Sequence, residues 1–174
     1  MNYANIKYRD IADGEGVRTT LFVSGCSHHC ENCFHPETWG VSYGQGITTE
    51  LDDFFVDGLT FLGGEPMEPE NQHGLLELAK RAKAQHPEKS IWCYTGDVYE
   101  DLVDAASPRH TEETDELLGL IDVLVDGPYI DSLHDITLRF RGSSNQRVID
   151  MNETRKTGEV VLWKDEEVYS THSM

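Results

Sequence analysis

Three cysteines, Cys26, Cys30 and Cys33, fall within eight residues, directly after the short apolar run Thr19–Ser24. No other feature constrains the fold as much. The run ends at Gly25 and reads as a buried strand, so the cysteines must occupy a loop at its C-terminal end. Clustered thiols, with Cys93 alone elsewhere, read as metal binding rather than as a disulfide framework. Thiolates are soft ligands that suit iron–sulfur clusters and zinc. Three of them can hold three irons of a cubane cluster and leave the fourth iron open to a substrate. The alternative is a structural zinc site, because His28, His29 and His35 lie close enough to supply a fourth ligand.

The same strand-then-loop pattern recurs along the chain. Gly58–Leu62 reads as a strand and leads into Gly63, Gly64, Glu65 and Pro66. Ser90–Tyr94 leads into Thr95 and Gly96, and Ile121–Val125 into Asp126, Gly127 and Pro128. Helical spacing links them. Thr49–Val56 carries Leu51, Phe54 and Phe55, and Asn71 can cap a helix to about Gln85 with Leu75, Leu76, Leu78, Ala79 and Ala82 as its apolar stripe. Val98–Ala105 reads as a further helix, and Ser107–Glu116 as a polar surface loop or insertion. Ile136–Phe140 and Val160–Trp163 alternate like antiparallel strands or hairpin arms, and the last ten residues read as frayed.

This pattern predicts an α/β fold with a mainly parallel sheet and short antiparallel additions near the C-terminus. The chain has 174 residues, too few for a complete eight-stranded barrel of roughly 250. One domain over residues 1–174 is expected, with a core to about 150 and an extension from 151. Ligands in parallel α/β sheets bind at the C-terminal strand ends, so the four loops should converge on one mouth.

Within that mouth, Gly63 and Gly64 would let the backbone approach a ligand, and Pro66 would stiffen the exit. An ordinary strand-to-helix turn is the plainer reading of these residues alone. Asp13–Arg18 precedes a strand, so it reads as a turn rather than a phosphate loop, with Arg18 near the mouth or paired with an acidic neighbour. Tyr94, Thr95 and Gly96 could line one side of the pocket. Cys93 reads as a packed free thiol, and Trp39, Trp92 and Trp163 as packing residues.

A net charge of −18 argues against nucleic-acid or anionic-membrane partners; its plainest cause is solubility or a salty habitat. The first ten residues hold no apolar leader segment, and nothing approaches the ~18 apolar residues of a membrane span. A cytoplasmic protein is expected.

The cysteine spacing together with Gly63-Gly64-Glu65-Pro66 resembles the radical S-adenosylmethionine superfamily. A narrower resemblance rests on Met1-Asn2-Tyr3, Asp13–Cys26, Trp39, Tyr94-Thr95-Gly96, Val123–Ile130 and, most discriminating, Asp126–Ile130 and Arg141–Asp150. These segments look like those of anaerobic ribonucleoside-triphosphate reductase-activating proteins. The resemblance implies a partial β/α barrel of the radical S-adenosylmethionine type. It implies a [4Fe–4S] cluster on Cys26, Cys30 and Cys33, and S-adenosyl-L-methionine as co-substrate. Its adenine would lie along Asn32, Cys33 and Phe34, and its methionine end would meet Gly63 and Gly64, with Glu65 shaping the loop. It implies an electron from a flavodoxin-like donor, and a 5′-deoxyadenosyl radical that takes hydrogen from a glycine of the partner reductase. Family members are often dimeric, so a homodimer is also implied. Many superfamily members carry an aromatic just before the third cysteine; here Asn32 stands there and Phe34 follows, an arrangement common in the activases. The chain has no second cysteine cluster and no glycyl-radical loop of its own, so the hydrogen donor should be another molecule. A small-molecule enzyme of similar length, such as a 7-carboxy-7-deazaguanine synthase-like protein, should lack the Arg141–Asp150 segment. A non-catalytic zinc or electron-carrier module is the third alternative.

Overall fold

The computed structural model describes residues 1–46 and 57–164. Seven strands form one sheet: β1 (Asn2–Asp10), β2 (Arg18–Val23), β3 (Gln45–Gly46), β4 (Gly58–Gly63), β5 (Ser90–Tyr94), β6 (Val123–Asp126) and β7 (Arg147–Asp150). Their spatial order is β3-β1-β2-β4-β5-β6-β7. The central four, β2, β4, β5 and β6, run parallel, from Arg18 beside Gly58 to Val23 beside Gly63 in the first pair. β1 and β7 flank them antiparallel. The sheet stays unclosed, a partial β/α barrel with a mainly parallel centre.

Alternation along the strands gives each face its own task. Leu21, Val23, Leu59, Phe61, Ile91, Cys93 and Leu124 face the helices and are buried. Against them pack α1 (Pro69–Gln85), through Leu75, Leu76, Leu78, Ala79 and Ala82, and α3 (Thr114–Leu120), through Leu117 and Leu118. The shorter α2 (Tyr99–Val103) contributes Leu102, and α4 (Met151–Thr157) contributes Met151. On the opposite face, Phe22, Leu62 and Tyr94 line a concave cavity at the C-terminal strand ends. Below it Trp92 packs edge-on to Phe140 and Trp163, at 5.0 and 5.5 Å. Tryptophan packing was the expected role there.

Several sequence expectations change. β1 was not foreseen: it is amphipathic only in part, and shifts of register at Tyr3/Asn5 and Lys7/Asp10 break its alternation. Asn71 does not cap α1. Pro69 opens the helix, as proline can where the first N–H needs no partner, and the Asn71 amide donates instead to the carbonyls of Ser24 and Glu65, at 3.0 and 2.9 Å. Ile136–Phe140 is a turn rather than a strand; Asp135 accepts from the N–H and hydroxyl of Thr137, at 2.8 and 2.7 Å. Val160–Trp163 runs antiparallel to β7 through a bridge between Ile149 and Leu162.

The polar stretch from Ser107 is not a free surface loop. Gln72 of α1 ties it down, donating to the Arg109 carbonyl at 2.7 Å and accepting from the hydroxyls of Thr111 and Thr114, at 2.8 and 2.6 Å. α3 then begins at Thr114. Arg18 does not lie at the mouth, and its acidic neighbours Glu15, Asp57 and Asp122 act on it through charge rather than through an ion pair among the described residues. It is buried at the other end of the sheet, where it donates to Thr60 Oγ1, Ser90 Oγ and the carbonyls of Glu15, Leu59 and Ser90. The helix expected over Thr49–Val56 and the frayed last ten residues lie outside the described residues.

Candidate metal centre and its mouth

The cysteine loop leaves β2 through Ser24 and Gly25, and the loop after β4 locks onto its stem. Gly64 N–H donates to the Val23 carbonyl at 2.8 Å, and Glu65 N–H to the Gly25 carbonyl at 2.7 Å. Both glycines are sterically required. Gly63 has φ of +111°, and a Cβ on it would stand 2.7 Å from Val23 N. A Cβ on Gly64 would stand 2.6 Å from the Gly25 carbonyl oxygen. Their smallness thus serves the junction of two loops, and it leaves Cys26, Cys30 and Cys33 beside Gly63, Gly64 and Glu65 around one cavity of about 670 Å³. Phe34 also lines it; Asn32 does not, and lies exposed with φ of +58°.

All three loop cysteines are free and half-buried, whereas Cys93 is fully buried. Burial pushes the Cys26 thiol up to about 11, so at neutral pH it needs a bound metal to hold it as thiolate. Burial likewise raises the Cys93 thiol well above its usual range, which makes it inert.

Glu65 is 1% exposed and fully employed. One oxygen accepts from Met67 N–H at 2.7 Å; the other accepts from Gly96 N–H at 2.8 Å and lies 3.1 Å from His28 Nε2. Asp97 lies 3.5 Å from the same nitrogen. Held between Asp97 and Glu65, the His28 imidazolium titrates only at about 10. His28, Glu65 and Asp97 offer ligand atoms within 4.8 Å of one another. However, Arg109 Nε stands 3.0 Å from Asp97, which makes the group a closed ion-pair network. The other histidines are also engaged: His29 stacks on Trp39 at 4.5 Å, and His35 lies 3.1 Å from Glu37. Of the loop histidines, His28 is thus the one held in a buried ion-pair network.

The far wall of the cavity comes from the segment between β6 and β7. Gln146 anchors it, donating to the Gly127 carbonyl at 3.0 Å and accepting from the N–H groups of Gly142 and Ser143, at 2.9 and 3.1 Å. Asn145 donates to the Pro128 carbonyl at 2.7 Å, and Ser143 Oγ accepts from Ile130 N–H at 3.2 Å. Arg147 bridges Asp126 and Glu100. The two most discriminating sequence segments, Asp126–Ile130 and Arg141–Asp150, thus zip together into one wall. From it, Tyr129 approaches Phe34 across the cavity, with ring centroids 6.3 Å apart.

The lining fits an iron–sulfur cluster with a polar organic ligand beside it. Three soft ligands face the cavity from one loop. The Tyr94 hydroxyl and Trp39 Nε1, on two lining residues, are buried polar atoms without a hydrogen-bond partner among the described residues. Such orphans are costly unless a ligand or water meets them. On the β1 side, Asp13 lines the cavity and holds a proton against Asp10. Burial and that neighbour push Asp13 up to about 7.

Sequence reasoning named the cysteines and the glycines but gave no role to Asp97, Arg109 or Gln146. Their signal is weak: Arg109 sits in a polar stretch, and Gln146 in a segment recognisable only as a whole.

Comparison with known proteins agrees with this geometry. A family described as a 4Fe-4S single cluster domain matches residues 12–149. The chain is 39% identical over 156 residues to the anaerobic ribonucleoside-triphosphate reductase-activating protein of Vibrio cholerae, covering 84% of this chain and 96% of that one. The protein of the same name in Escherichia coli is 38% identical over 158 residues, with 85% and 97% covered. That of Haemophilus influenzae is 38% identical over 156 residues, with 84% and 96% covered. Near-complete coverage at this identity, on a sheet whose strand ends gather three free cysteines and a double-glycine loop, places the chain in the family of anaerobic ribonucleoside-triphosphate reductase-activating proteins.

Proposed function

We propose that this enzyme activates an anaerobic ribonucleoside-triphosphate reductase by generating a glycyl radical on it, with S-adenosylmethionine as the radical source. The carrying observation is the convergence of Cys26, Cys30 and Cys33 with Gly63, Gly64 and Glu65 on one cavity. Family membership supplies the partner class. When bound and reduced, a [4Fe–4S] cluster with an open iron supplies the electron that splits the C5′–S bond of adenosylmethionine homolytically, which leaves methionine and a 5′-deoxyadenosyl radical.

The chain's own residues bind, orient and shield. Cys26, Cys30 and Cys33 hold the cluster. Gly63 and Gly64 keep the strand end low enough for the methionine end to approach, and Glu65 fixes that loop to Gly96 and His28. Cys33 and Phe34 flank the adenine, whereas Asn32 lies outside the cavity. Tyr129 and the Gln146-anchored wall close the far side, and the open mouth between that wall and the cysteine loop admits the partner's glycine. Radical transfer depends on near-attack geometry, so the glycine loop must enter this mouth. A flavodoxin-like protein is the electron donor that family resemblance supports, and a homodimer the assembly.

Anaerobic reconstitution tests the first half. The reduced protein should convert adenosylmethionine to 5′-deoxyadenosine and methionine. Cluster uptake without any such cleavage would refute it.

A further inference from the structure

Between Ser27 and Asn32, no backbone N–H reaches a backbone carbonyl among the described residues. The stem of the cysteine loop is tied by Cys26 N–H to the Trp39 carbonyl at 3.2 Å, and its end by Cys33 N–H to the Cys30 carbonyl at 3.3 Å. What holds the span between them is side chains, and these meet at Arg109. Its Nε stands 3.0 Å from Asp97, one terminal nitrogen 2.7 Å from Glu68, and the other donates to Ser27 Oγ at 2.8 Å. Glu68 in turn accepts from the N–H and hydroxyl of Ser27, at 3.2 and 3.0 Å. Asp97 reaches His28 at 3.5 Å. A guanidinium presents its donors in a rigid plane, so three simultaneous partners fix their relative positions.

We propose that Arg109 is a positioning residue for the metal centre: it pins Ser27 directly, reaches His28 both directly at 3.4 Å and through Asp97, and so sets the cysteine loop against the Gly63-Gly64-Glu65 loop. This rests on the proposed function only in taking that loop to be the cluster's. Exposed ion pairs contribute little, but Arg109, Glu68 and Asp97 are 14, 15 and 12% exposed and escape most screening. Charge balance points the same way. Glu65, Glu68 and Asp97 crowd behind a loop whose cysteines must themselves be anionic. His28 faces Glu65 and Asp97, and Arg109 is the cation on Glu68 and the second on Asp97. Without Arg109, Glu68 and Asp97 lose the guanidinium that faces both of them. Arg109 is itself held from behind, where Gln72 donates to its carbonyl. The stretch from Ser107 thus belongs to the centre.

The test has two arms. In the metal-free chain, amide hydrogen exchange at Cys26, Ser27 and Cys33, the loop amides with named acceptors, should be about tenfold faster in Arg109→Met than in wild type, with partial recovery in Arg109→Lys, since exchange reports local opening. In the cluster-loaded protein, Arg109→Met should weaken adenosylmethionine binding about tenfold, again with partial recovery in the lysine variant. Unchanged exchange overturns the proposal, and so does faster exchange with unchanged affinity. If Arg109→Met does not fold, Ser27→Ala removes only the hydroxyl arm and should move both readouts the same way by a smaller factor; no movement in either then overturns the proposal. A wild-type chain that takes up no cluster counts against the proposed function alone, because the metal-free arm stands independently.

Discussion

Gly64 lies against Gly25 so closely that a single added Cβ would meet the Gly25 carbonyl oxygen at 2.6 Å. Gly25 precedes Cys26, so any residue larger than glycine at position 64 displaces the cysteine loop. Gly64→Val should therefore lose adenosylmethionine binding and part of its iron together, and should cost about 2–4 kcal/mol of stability. Iron content and thermal unfolding check this. Retained iron, stability and ligand affinity in the variant would remove Gly64 from the junction.

Arg18 governs the other end of the sheet. It is 1% exposed, donates to five acceptors and lies 5.5 Å from the Trp92 ring. Burial draws its guanidinium down to about 10. Arg18→Met removes all five hydrogen bonds, two of them to the side chains of Thr60 and Ser90, and should cost about 2–4 kcal/mol. Urea unfolding should show the loss, while adenosylmethionine affinity per folded molecule stays unchanged, because Arg18 is remote from the mouth.

Cys93 and Cys30 should separate cleanly. Cys93→Ala should retain the cluster and lose about 1 kcal/mol from a small core cavity, whereas Cys30→Ala should lose the cluster. Iron and sulfide counts after anaerobic reconstitution decide it; the reverse pattern would overturn the ligand assignment.

The Asp10–Asp13 pair gives the fold a pH signature. Asp13 keeps its proton to about 7, while in the unfolded chain it ionises near 3.9. Between those values the native state binds more protons than the unfolded state, so this group's contribution to stability falls as pH rises. Asp10 is shifted down, and its own contribution is lost only in stronger acid. Asp13→Asn removes the titration and keeps a donor toward Asp10. Relative to wild type, it should gain stability from pH 5 to pH 8. Urea unfolding of the metal-free chain at both values checks the sign, and a gain in the opposite direction would contradict it.

The central strands were legible because each is a short apolar run closed by turn residues, and burial on both faces requires such runs. Thr19–Ser24 and Gly58–Leu62 match β2 and β4 to within a residue at each end. The convergence of four loops followed from strand direction alone. β1 carries a strand signal in the alternation of Ala4, Ile6 and Tyr8 with Asn5, Lys7 and Arg9, but that signal is short and weakly apolar, and pairing with β2 makes it a strand. Ile136–Phe140 failed for the opposite reason. Its alternation imitates a strand, but Phe140 takes φ of +59° and turns inward to Trp92. At the site, cysteine spacing carried the chemistry. The steric reason for Gly64, by contrast, lies in a contact with Gly25, and Arg109 acts across a gap of 82 residues to Ser27. Pairings at such separations leave no local pattern.

The central claim is that the radical made in this cavity ends on a glycine of another protein. Electron paramagnetic resonance on an anaerobic mixture of the reduced enzyme, adenosylmethionine and the anaerobic ribonucleotide reductase of the same genome tests it most directly. A doublet glycyl signal is predicted, absent with Cys30→Ala and accompanied by reductase activity. Robust 5′-deoxyadenosine formation with no glycyl signal on any such reductase would contradict the account and favour a small-molecule substrate.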